Sequence, residues 1–516
     1  MKLFRKIQKW FENQGNLYYL FLIILIVPNI VLCFTEPMPL VAKVCNVLLP
    51  FSIYHMIMSW SGNCGKTFWI LFPFLFFGAF QIVLLYLFGQ SVIAVDMFLN
   101  LVTTNPGEAL ELLDNLIPAI IIVVLLYIPA LVLAAVAVSK KRRLSEMFVR
   151  RERKRAGITV IAGILSLVAA YLFDARYELK SDLYPANVCY NIALAFQRTA
   201  QTQHYAETSK DFTFQAKTTR PEKNREVYVM VIGETSRAAN WSIYGYNRNT
   251  NPELTKIKGL TAFSHVLTES NTTHKSVPML MSSVTAHDFN SIYRQKGIIT
   301  AFKEAGYRTA FFSNQRYNHS FIDFFGKEAD ICDFIKEDTG DGGYNPSDDE
   351  LLKLVAAELA ENVSKQFIVL HTYGSHFNYR ERYPADNAFF LPDFPVDAEL
   401  KYKDNLINAY DNSIRYTDNF LARLIRMLQE QDIDAAMLYT SDHGEDIFDD
   451  DRHLFLHASP VPSYYQIHVP FLIWMSDNYR KNYPDLFKNA EINRQKNISS
   501  SASFFQTMLE LGGIDT

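Results

Sequence analysis

Carboxylates and histidines are concentrated in residues 439–460, YTSDHGEDIFDDDRHLFLHASP, where they could bind a metal ion. Asp442 and His443 end an apolar run in this segment, and Glu234 ends another apolar run, VYVMVIG. Zinc accepts mixed oxygen and nitrogen ligands and in catalytic sites keeps a position for a reacting group. The oxygen-rich set leaves Mn²⁺ open as a weaker alternative. A simpler interpretation exists, because an acidic run is usually a solvated loop and GETSR could start a helix.

A threonine-containing loop could supply a nucleophile beside such a metal. Residues 268–279, TESNTTHKSVPM, place Thr272 and Thr273 side by side before a predicted helix start. A hydroxyl bound to a metal loses its proton more readily and becomes a nucleophile. The alternative is a Ser/Thr-rich helix cap.

Alternating strands and helices must position these groups. Helical patterns at 348–363 and 416–431 lie between short apolar runs that predict buried strands. The predicted strands are 227–233, 309–314, 367–374, 435–442 and 468–474. This alternation favours an α/β fold with a mostly parallel central sheet. Ligands in such sheets gather beyond the carboxyl ends of the strands, so the polar residues at these ends should meet at one edge.

The first 175 residues contain five apolar segments that are long enough to cross a bilayer, which takes about 20 residues. They lie near 17–35, 38–60, 67–88, 116–138 and 157–173. The basic stretches MKLFRKIQK and KKRRLSEMFVRRERKR precede the first and the fifth of them. Because positive loops stay in the cytoplasm, the N-terminus is expected there and everything after residue 175 outside it.

Three parts are therefore expected along the chain. They are a transmembrane domain with five spans (1–175), amphipathic bridging helices with a linker (176–224) and a catalytic domain (225–516). The chain has 50 Lys+Arg against 54 Asp+Glu, which argues against a polyanionic partner such as nucleic acid. Of the five cysteines, only Cys189 and Cys332 follow residue 175, so disulfides are not the main source of stability there.

Five motifs resemble, in the same order, those of the bacterial phosphoethanolamine transferases. They are VIGETSRAANWSIYGYNRNTNPEL, NTTHKSVPMLMSS, HTYGSHFNYRERYP, YDNSIRYTD and SDHGED followed by LHAS. This family of inner-membrane enzymes modifies lipid A or the lipopolysaccharide core and includes the mobile colistin-resistance enzymes. The resemblance implies five transmembrane helices followed by a periplasmic alkaline-phosphatase-like, or sulfatase-like, α/β domain.

The resemblance also implies roles for individual residues. It makes Thr273 the nucleophile and a zinc ligand together with Glu234, Asp442 and His443. It implies that His376 and His457 hold the phosphoryl group or a second metal and take part in catalysis, and it leaves EDIFDDDRH as an exposed rim. Asn100, Thr104 and Glu108 are four residues apart, so on a helix they share one face. They match family positions proposed to bind the lipid headgroup.

The implied reaction transfers phosphoethanolamine from phosphatidylethanolamine, through a covalent intermediate on threonine, to lipid A or the lipopolysaccharide core. The sequence departs from the family pattern in ways that leave the acceptor open. Glu269 stands where relatives acting on lipid A often carry a cysteine, and the disulfides of their catalytic domains have no counterparts in this chain. A lysine that the family pattern places after SNQ is absent, and Arg316, Asn318 and His319 lie nearby instead.

Three alternatives remain beside this interpretation. A phosphoglycerol transferase of the lipoteichoic-acid-synthase type also has five spans and a threonine nucleophile. A sulfatase would need a Cys or Ser nucleophile followed closely by Pro and Arg, and TTHKSVPML contains no such arginine. A non-catalytic membrane scaffold would be expected to have lost at least one ligand or the nucleophile, and none is lost.

Overall fold

A computed structural model describes residues 2–88, 93, 116–220, 225–336, 346–397 and 399–516. The predicted headgroup residues Asn100, Thr104 and Glu108 lie outside these ranges. The described chain divides into two compact units, one up to Gln197 and the other from Arg198 onward.

The first unit is helical. Its helices are Lys2–Glu12, Gln14–Thr35, Leu40–Met58, Cys64–Ile70, Phe72–Phe88, Ile117–Ser139, Glu146–Phe173 and Leu179–Asp182, and Ala186–Gln203 begins in it. Four of these helices are long and apolar enough to cross a membrane. A fifth span results if Cys64–Ile70 and Phe72–Tyr86 are counted together across their 61° bend. The predicted membrane domain is confirmed, although its third span is a bent pair of helices.

Two spans of this unit, Leu40–Met58 and Glu146–Phe173, pack closely and share an ion pair. A Cβ atom on Gly163 would lie 2.7 Å from Ser52 Oγ, so the small residue permits the close approach. His55 Nε2 lies 3.4 Å from Glu152 Oε2, and both side chains are buried. The histidine that interrupts the second apolar segment is therefore paired inside the protein, as intramembrane polar residues usually are.

The second unit contains all thirteen strands of the described chain. They are β1 (Lys217–Thr218), β2 (Glu226–Gly233), β3 (Leu260–Phe263), β4 (Val266–Leu267), β5 (Arg308–Ser313), β6 (Ile331–Phe334), β7 (Lys365–His371), β8 (Asp434–Ser441), β9 (Asp446–Ile447), β10 (Phe455–Leu456), β11 (Phe471–Met475), β12 (Ile498–Ser499) and β13 (Ile514–Asp515). Seven of them form the central sheet in the order β3-β11-β8-β2-β7-β5-β6. The five strands from β8 to β6 are parallel, and β11 is antiparallel to both β8 and β3.

Helices and a continuous apolar core cover this sheet. The helices are Tyr205–Thr208, Thr273–Leu280, Ile298–Glu304, Phe321–Gly326, Asp349–Ala360, Lys403–Gln429, Tyr464–Ile467, Asp477–Asn482, Pro484–Asn493 and Ser500–Gly512. Alternate residues of β2, Tyr228, Met230 and Ile232, belong to one buried cluster with Phe302 and Met508. The continuous apolar runs inside β2, β7 and β8 follow from their burial on both faces.

The predicted α/β fold with a mostly parallel sheet is confirmed, with differences at its margins. β3 and β6 do not stand out as apolar runs, because each is short and only partly buried. The helix predicted at 416–431 begins at Lys403. Its first half is rich in asparagine and aspartate, which weakens the helical pattern, but Asp411, Asn412 and Asp418 are buried and bond neighbouring loops.

We expect Phe302→Ala to destabilise the second unit by about 3–5 kcal/mol, because it removes a fully buried ring. The Phe302 ring stacks on Phe367 with the ring centroids 3.7 Å apart. Urea titration with pulse proteolysis of the full chain, following the fragment that contains the sheet, measures the effect. Phe302→Leu keeps most of the volume and should cost about 1.5 kcal/mol or less. Equal midpoints for the Ala variant and the unmodified chain would contradict this account of the core.

Candidate metal centre and active site

Neighbouring strand ends bring three potential metal ligands together. β2 and β8 are parallel with Gly233 opposite Ser441, so the residues that follow each strand emerge side by side. These residues are Glu234 on one strand and Asp442 with His443 on the other, and all three are fully buried. Their ligand atoms lie within 4.8 Å of one another. His443 Nε2 is 3.2 Å from Asp442 Oδ2 and 3.5 Å from Glu234 Oε1.

Hydrogen bonds from the backbone orient the three side chains. Asp442 Oδ1 accepts the N–H groups of Thr235 at 3.0 Å and of His443 at 2.7 Å, which leaves Oδ2 for the centre. His443 Nδ1 lies 2.9 Å from the Gly444 carbonyl, so Nδ1 carries the proton and Nε2 presents a lone pair. Thr235 Oγ1 donates to Glu234 Oε1 at 2.7 Å. Outer contacts of this kind fix the direction of a metal ligand.

Two glycines allow loops to approach the centre. Gly374 has φ +51°, and a Cβ atom there would lie 2.6 Å from the Glu234 carbonyl oxygen. A Cβ atom on Gly444 would lie 2.2 Å from the Tyr465 carbonyl oxygen. Larger residues at these positions would push the loops away, so both motifs, GSH and DHGE, need their glycine for packing.

The electrostatics of the centre suit a bound cation. Burial raises the pKa of Asp442 to about 6 and lowers the pKa of His443 well below its usual value. Asp442 Oδ2 accepts no hydrogen bond from any residue in the described ranges, although it is buried. A buried carboxylate oxygen without a donor is costly unless a cation satisfies it. Two carboxylates, one imidazole and a hydroxyl are a donor set that zinc accepts.

Thr273, at the first position of the helix Thr273–Leu280, reaches this centre. Its Oγ1 lies 3.2 Å from His443 Nε2 and 3.3 and 3.4 Å from the Glu234 carboxylate oxygens. Thr272 instead bonds Ser270 Oγ at 3.0 Å. Of the two adjacent threonines, the structure therefore brings Thr273 to the candidate ligands. Thr273 is only half-buried, so a substrate has access to its hydroxyl.

Two histidines extend from the centre on one side. The ring centroid of His457 is 4.1 Å from that of His443, and the ring of His376 is 6.3 Å from that of His457. His376 Nδ1 lies 2.6 Å from the Phe377 carbonyl, and its ring stacks on Tyr373. Burial and the nearby Arg382 lower the pKa of His376 well below its usual value. The two imidazoles thus follow His443, whose Nε2 contacts the Thr273 hydroxyl.

The segment predicted as an exposed rim is partly interior. Glu445 through Phe448 are buried, and only the part around Asp450–His453 is exposed. Arg237 causes this difference, because its guanidinium donates to the Glu445 carbonyl at 3.0 Å and pairs with Asp449 at 2.6 Å. Sequence reasoning missed Glu445 itself, whose Oε2 lies 3.5 Å from His457 Nδ1. Burial raises the pKa of the Glu445 carboxyl.

Gln315 is another residue near the centre that sequence reasoning did not select. Its Nε2 lies 3.4 Å from Glu234 Oε2 and 3.1 Å from the Thr372 carbonyl, to which it donates. The sequence feature that could have identified Gln315 is its position just after β5, next to Ser313 and Asn314 at the same sheet edge.

Family comparisons cover both units. Residues 226–514 match the sulfatase family, and residues 56–200 match the family described as phosphoethanolamine transferase EptA/EptB. The sulfatase match spans more than half of the chain, so the chain belongs to that family.

Curated relatives carry the same family name. Kdo(2)-lipid A phosphoethanolamine 7''-transferase of Escherichia coli K12 is 30% identical over 56% of this chain and 51% of its own length, and the Salmonella typhimurium protein is 31% identical over 63% and 61%. The match therefore spans only about half to three-fifths of these two relatives. Phosphoethanolamine transferase EptA of E. coli O157:H7 is 26% identical over 91% of this chain and 87% of its own.

A solved structure shares the fold of both units. The integral membrane lipooligosaccharide phosphoethanolamine transferase A of Neisseria meningitidis has a TM-score of 0.76 at 20% identity, covering 97% of this chain and 95% of that one. The periplasmic domain of E. coli EptC, solved in complex with Zn, has a TM-score of 0.53 at 24% identity, covering 58% of this chain and 85% of that one. The solved structures share the fold, and the family matches place the chain in the sulfatase family, with residues 56–200 similar to the phosphoethanolamine transferases EptA/EptB.

Proposed function

We propose that this chain transfers phosphoethanolamine from phosphatidylethanolamine to a lipopolysaccharide acceptor, with Thr273 as the nucleophile. The observation that carries the proposal is the position of the Thr273 hydroxyl, 3.2–3.4 Å from His443 Nε2 and the Glu234 carboxylate. An ordinary helix cap would not need three fully buried ligand residues around it. The names of the curated relatives supply the transferred group, phosphoethanolamine, and one of them names Kdo(2)-lipid A, which supports a lipopolysaccharide acceptor.

We propose zinc as the metal, held by Glu234, Asp442, His443 and Thr273. A zinc ion bound there would lower the pKa of the threonine hydroxyl and offset negative charge on the phosphoryl oxygens. The imidazole among the ligands favours zinc over Mn²⁺, which prefers oxygen ligands. One tightly bound ion satisfies the described ligand set, and a second ion would have to use His376 and His457.

The chain's own residues would carry out two displacements. In the first, Thr273 Oγ1 forms a bond to phosphorus while the bond to the diacylglycerol oxygen breaks, and that oxygen takes up a proton. In the second, an acceptor hydroxyl or phosphate oxygen gives up any proton it carries and forms the new bond to phosphorus, while the bond between phosphorus and Thr273 Oγ1 breaks and Oγ1 takes up a proton. His376 and His457 are the proposed proton carriers, because His457 lies against His443 and His376 lies beyond His457. Glu445 orients His457 through the 3.5 Å contact with Nδ1.

We further propose a location and a domain organisation for this reaction. The basic loops support an inner-membrane protein with a cytoplasmic N-terminus, a transmembrane domain at 1–175, bridging helices and a linker at 176–224, and a periplasmic catalytic domain at 225–516. Asn100, Thr104 and Glu108 are proposed to bind the ethanolamine headgroup. Because the donor and the acceptor are lipids, attachment of the enzyme to the same bilayer raises their effective concentration.

The first test is mass spectrometry of the purified chain incubated with phosphatidylethanolamine. We expect a phosphoethanolamine adduct on Thr273, absent from Thr273→Ala and after metal removal, because attack needs an activated hydroxyl. Thr272→Ala is the matched control and should keep the adduct, since its hydroxyl is directed to Ser270. A metal-loaded, folded chain without an adduct would refute the nucleophile or the donor. An adduct formed only from phosphatidylglycerol would instead identify a phosphoglycerol transferase.

The second test concerns the metal. At zinc concentrations about 100 times the Kd, binding should stabilise the folded chain by about 2.7 kcal/mol and raise its Tm. Asp442→Asn should abolish this shift and reduce the zinc content measured by elemental analysis, because it removes a charged ligand. Asp450→Asn is the control, as Asp450 is an exposed carboxylate of the same segment. Equal zinc content in both variants would contradict the assigned ligands.

A further inference from the structure

An apolar tip projects from the second unit at residues 389–394. We use this name for Phe389, Leu391, Pro392 and Phe394, all of which are exposed. Phe389, Leu391 and Phe394 expose 58%, 66% and 69% of their surface. Scattered exposed apolar residues are ordinary, but a group of them usually marks an interaction surface.

The apolar tip is a local concentration of such residues. In the described part of the chain from residue 198 onward, eight large apolar side chains are exposed, and four of them fall within 389–400. The eight are Leu267, Phe389, Leu391, Phe394, Leu400, Val461, Tyr464 and Ile492. Half of the exposed apolar residues of this unit thus occupy one short segment.

The backbone of the apolar tip is held in place by the helix Lys403–Gln429. Three asparagines on that helix bond the backbone polar groups of the tip. Asn405 donates to the Phe394 carbonyl at 2.7 Å, and Asn408 donates to the Pro392 carbonyl at 2.8 Å. Asn412 Oδ1 accepts the N–H groups of Phe389 and Phe390 at 2.9 and 2.8 Å. The protein therefore satisfies the polar backbone while it leaves the apolar side chains outside, which suits an apolar partner.

The apolar tip is also joined to the segment that carries His376. Asp393, buried within the tip, accepts a hydrogen bond from Tyr383 OH at 2.8 Å and pairs with Arg380 Nε at 3.1 Å. Tyr383 and Arg380 lie only a few residues after His376 in GSHFNYRERYP. A partner bound to the tip would thus be held by the same segment that supplies a histidine of the candidate active site.

A cation lies behind the apolar tip. Arg415 Cζ is 4.2 Å from the centroid of the Phe389 ring, and its guanidinium donates to the Asn249 carbonyl at 2.9 Å. Arg415 forms no ion pair with a carboxylate of the described residues. Exposed aromatic and aliphatic side chains in front of a half-buried guanidinium complement a phospholipid surface, which is apolar inside and carries phosphates at its rim.

We propose that the apolar tip inserts into the lipid bilayer at the boundary between headgroups and acyl chains, with Arg415 at the level of the phosphates. The spans of the chain tether this unit to a bilayer, so a lipid surface is always within reach. The inference rests on the proposed function in one respect, because the reacting headgroups lie at that surface. Insertion of a tip joined to the His376 segment would present the active site to them.

The direct test uses the full chain in nanodiscs of phosphatidylethanolamine and phosphatidylglycerol. A photoreactive benzoylphenylalanine replaces Phe394, and mass spectrometry identifies its adducts. We expect lipid adducts at a yield several times that of the same probe at Ile492, which is equally exposed but lies outside the tip. Adducts only with peptides of the same chain, or a lipid yield no higher than at Ile492, would overturn the proposal.

A kinetic test separates docking from catalysis. The measured quantity is the ratio of two rates, transfer from phosphatidylethanolamine in vesicles and hydrolysis of water-soluble p-nitrophenyl phosphoethanolamine. The double variant Leu391→Ser with Phe394→Ser should lower this ratio by about tenfold or more. The reason is that insertion of each of the two apolar side chains contributes at least that factor to membrane binding. Ile492→Ser should leave the ratio unchanged. An unchanged ratio in the double variant would overturn the proposal. A lipid adduct at position 394 without any Thr273 adduct would refute the proposed function and leave the docking surface standing.

Discussion

The structure depends on three lone pairs that meet at the buried edge of the central sheet. His443 Nε2 lies 3.2 Å from Asp442 Oδ2 and 3.5 Å from Glu234 Oε1, and the ligand atoms all lie within 4.8 Å of one another. His443 directs its proton to the Gly444 carbonyl, so it presents a lone pair to the two carboxylates. In a low-dielectric interior such an arrangement is repulsive unless a cation lies among the atoms. The surrounding protein must therefore hold these groups together against their mutual repulsion.

Contacts between several strands and loops keep these three groups together. The parallel register of β2 with β8 sets the spacing of Glu234 and Asp442. On the other side of β2, Asp348 accepts the N–H groups of Tyr373 and Gly374 at 2.8 and 3.0 Å and so positions the loop after β7. Ser375 N–H in turn donates to the Glu234 carbonyl at 2.9 Å. The candidate metal ligands and the loops beside them are thus held by backbone hydrogen bonds.

Burial decreases outward from this centre in a way that suits transfer between lipids. The three ligands are fully buried, Thr273 is half-buried, and the His457 side chain is 22% exposed. A substrate could therefore reach Thr273 and His457 while the three candidate ligands stay out of water, where their electrostatic effect is strongest. The membrane unit follows a different rule, with a small residue, Gly163, at a close helix contact and the buried His55 next to Glu152.

The sequence by itself determined the features that depend on local pattern. Apolar length specified the membrane helices, and continuous apolar runs specified β2, β7 and β8 with the polar residues at their ends. Because parallel strands end at a common edge, Glu234 could be associated with Asp442 and His443 although about 200 residues separate them. The marginal strands β3 and β6 and the first half of the helix Lys403–Gln429 were missed, since their stability comes from neighbours rather than from periodicity.

Only the tertiary structure decided the features that depend on distant partners. It directs Thr272 to Ser270 and Thr273 to the ligands, a choice that spacing alone left open. It buries Glu445 because Arg237, remote in sequence, bonds its carbonyl and pairs with Asp449. It also exposes Phe389, Leu391 and Phe394, in a segment whose backbone is bonded by asparagines of a later helix. In each case the side-chain direction results from contacts between segments that no local pattern connects.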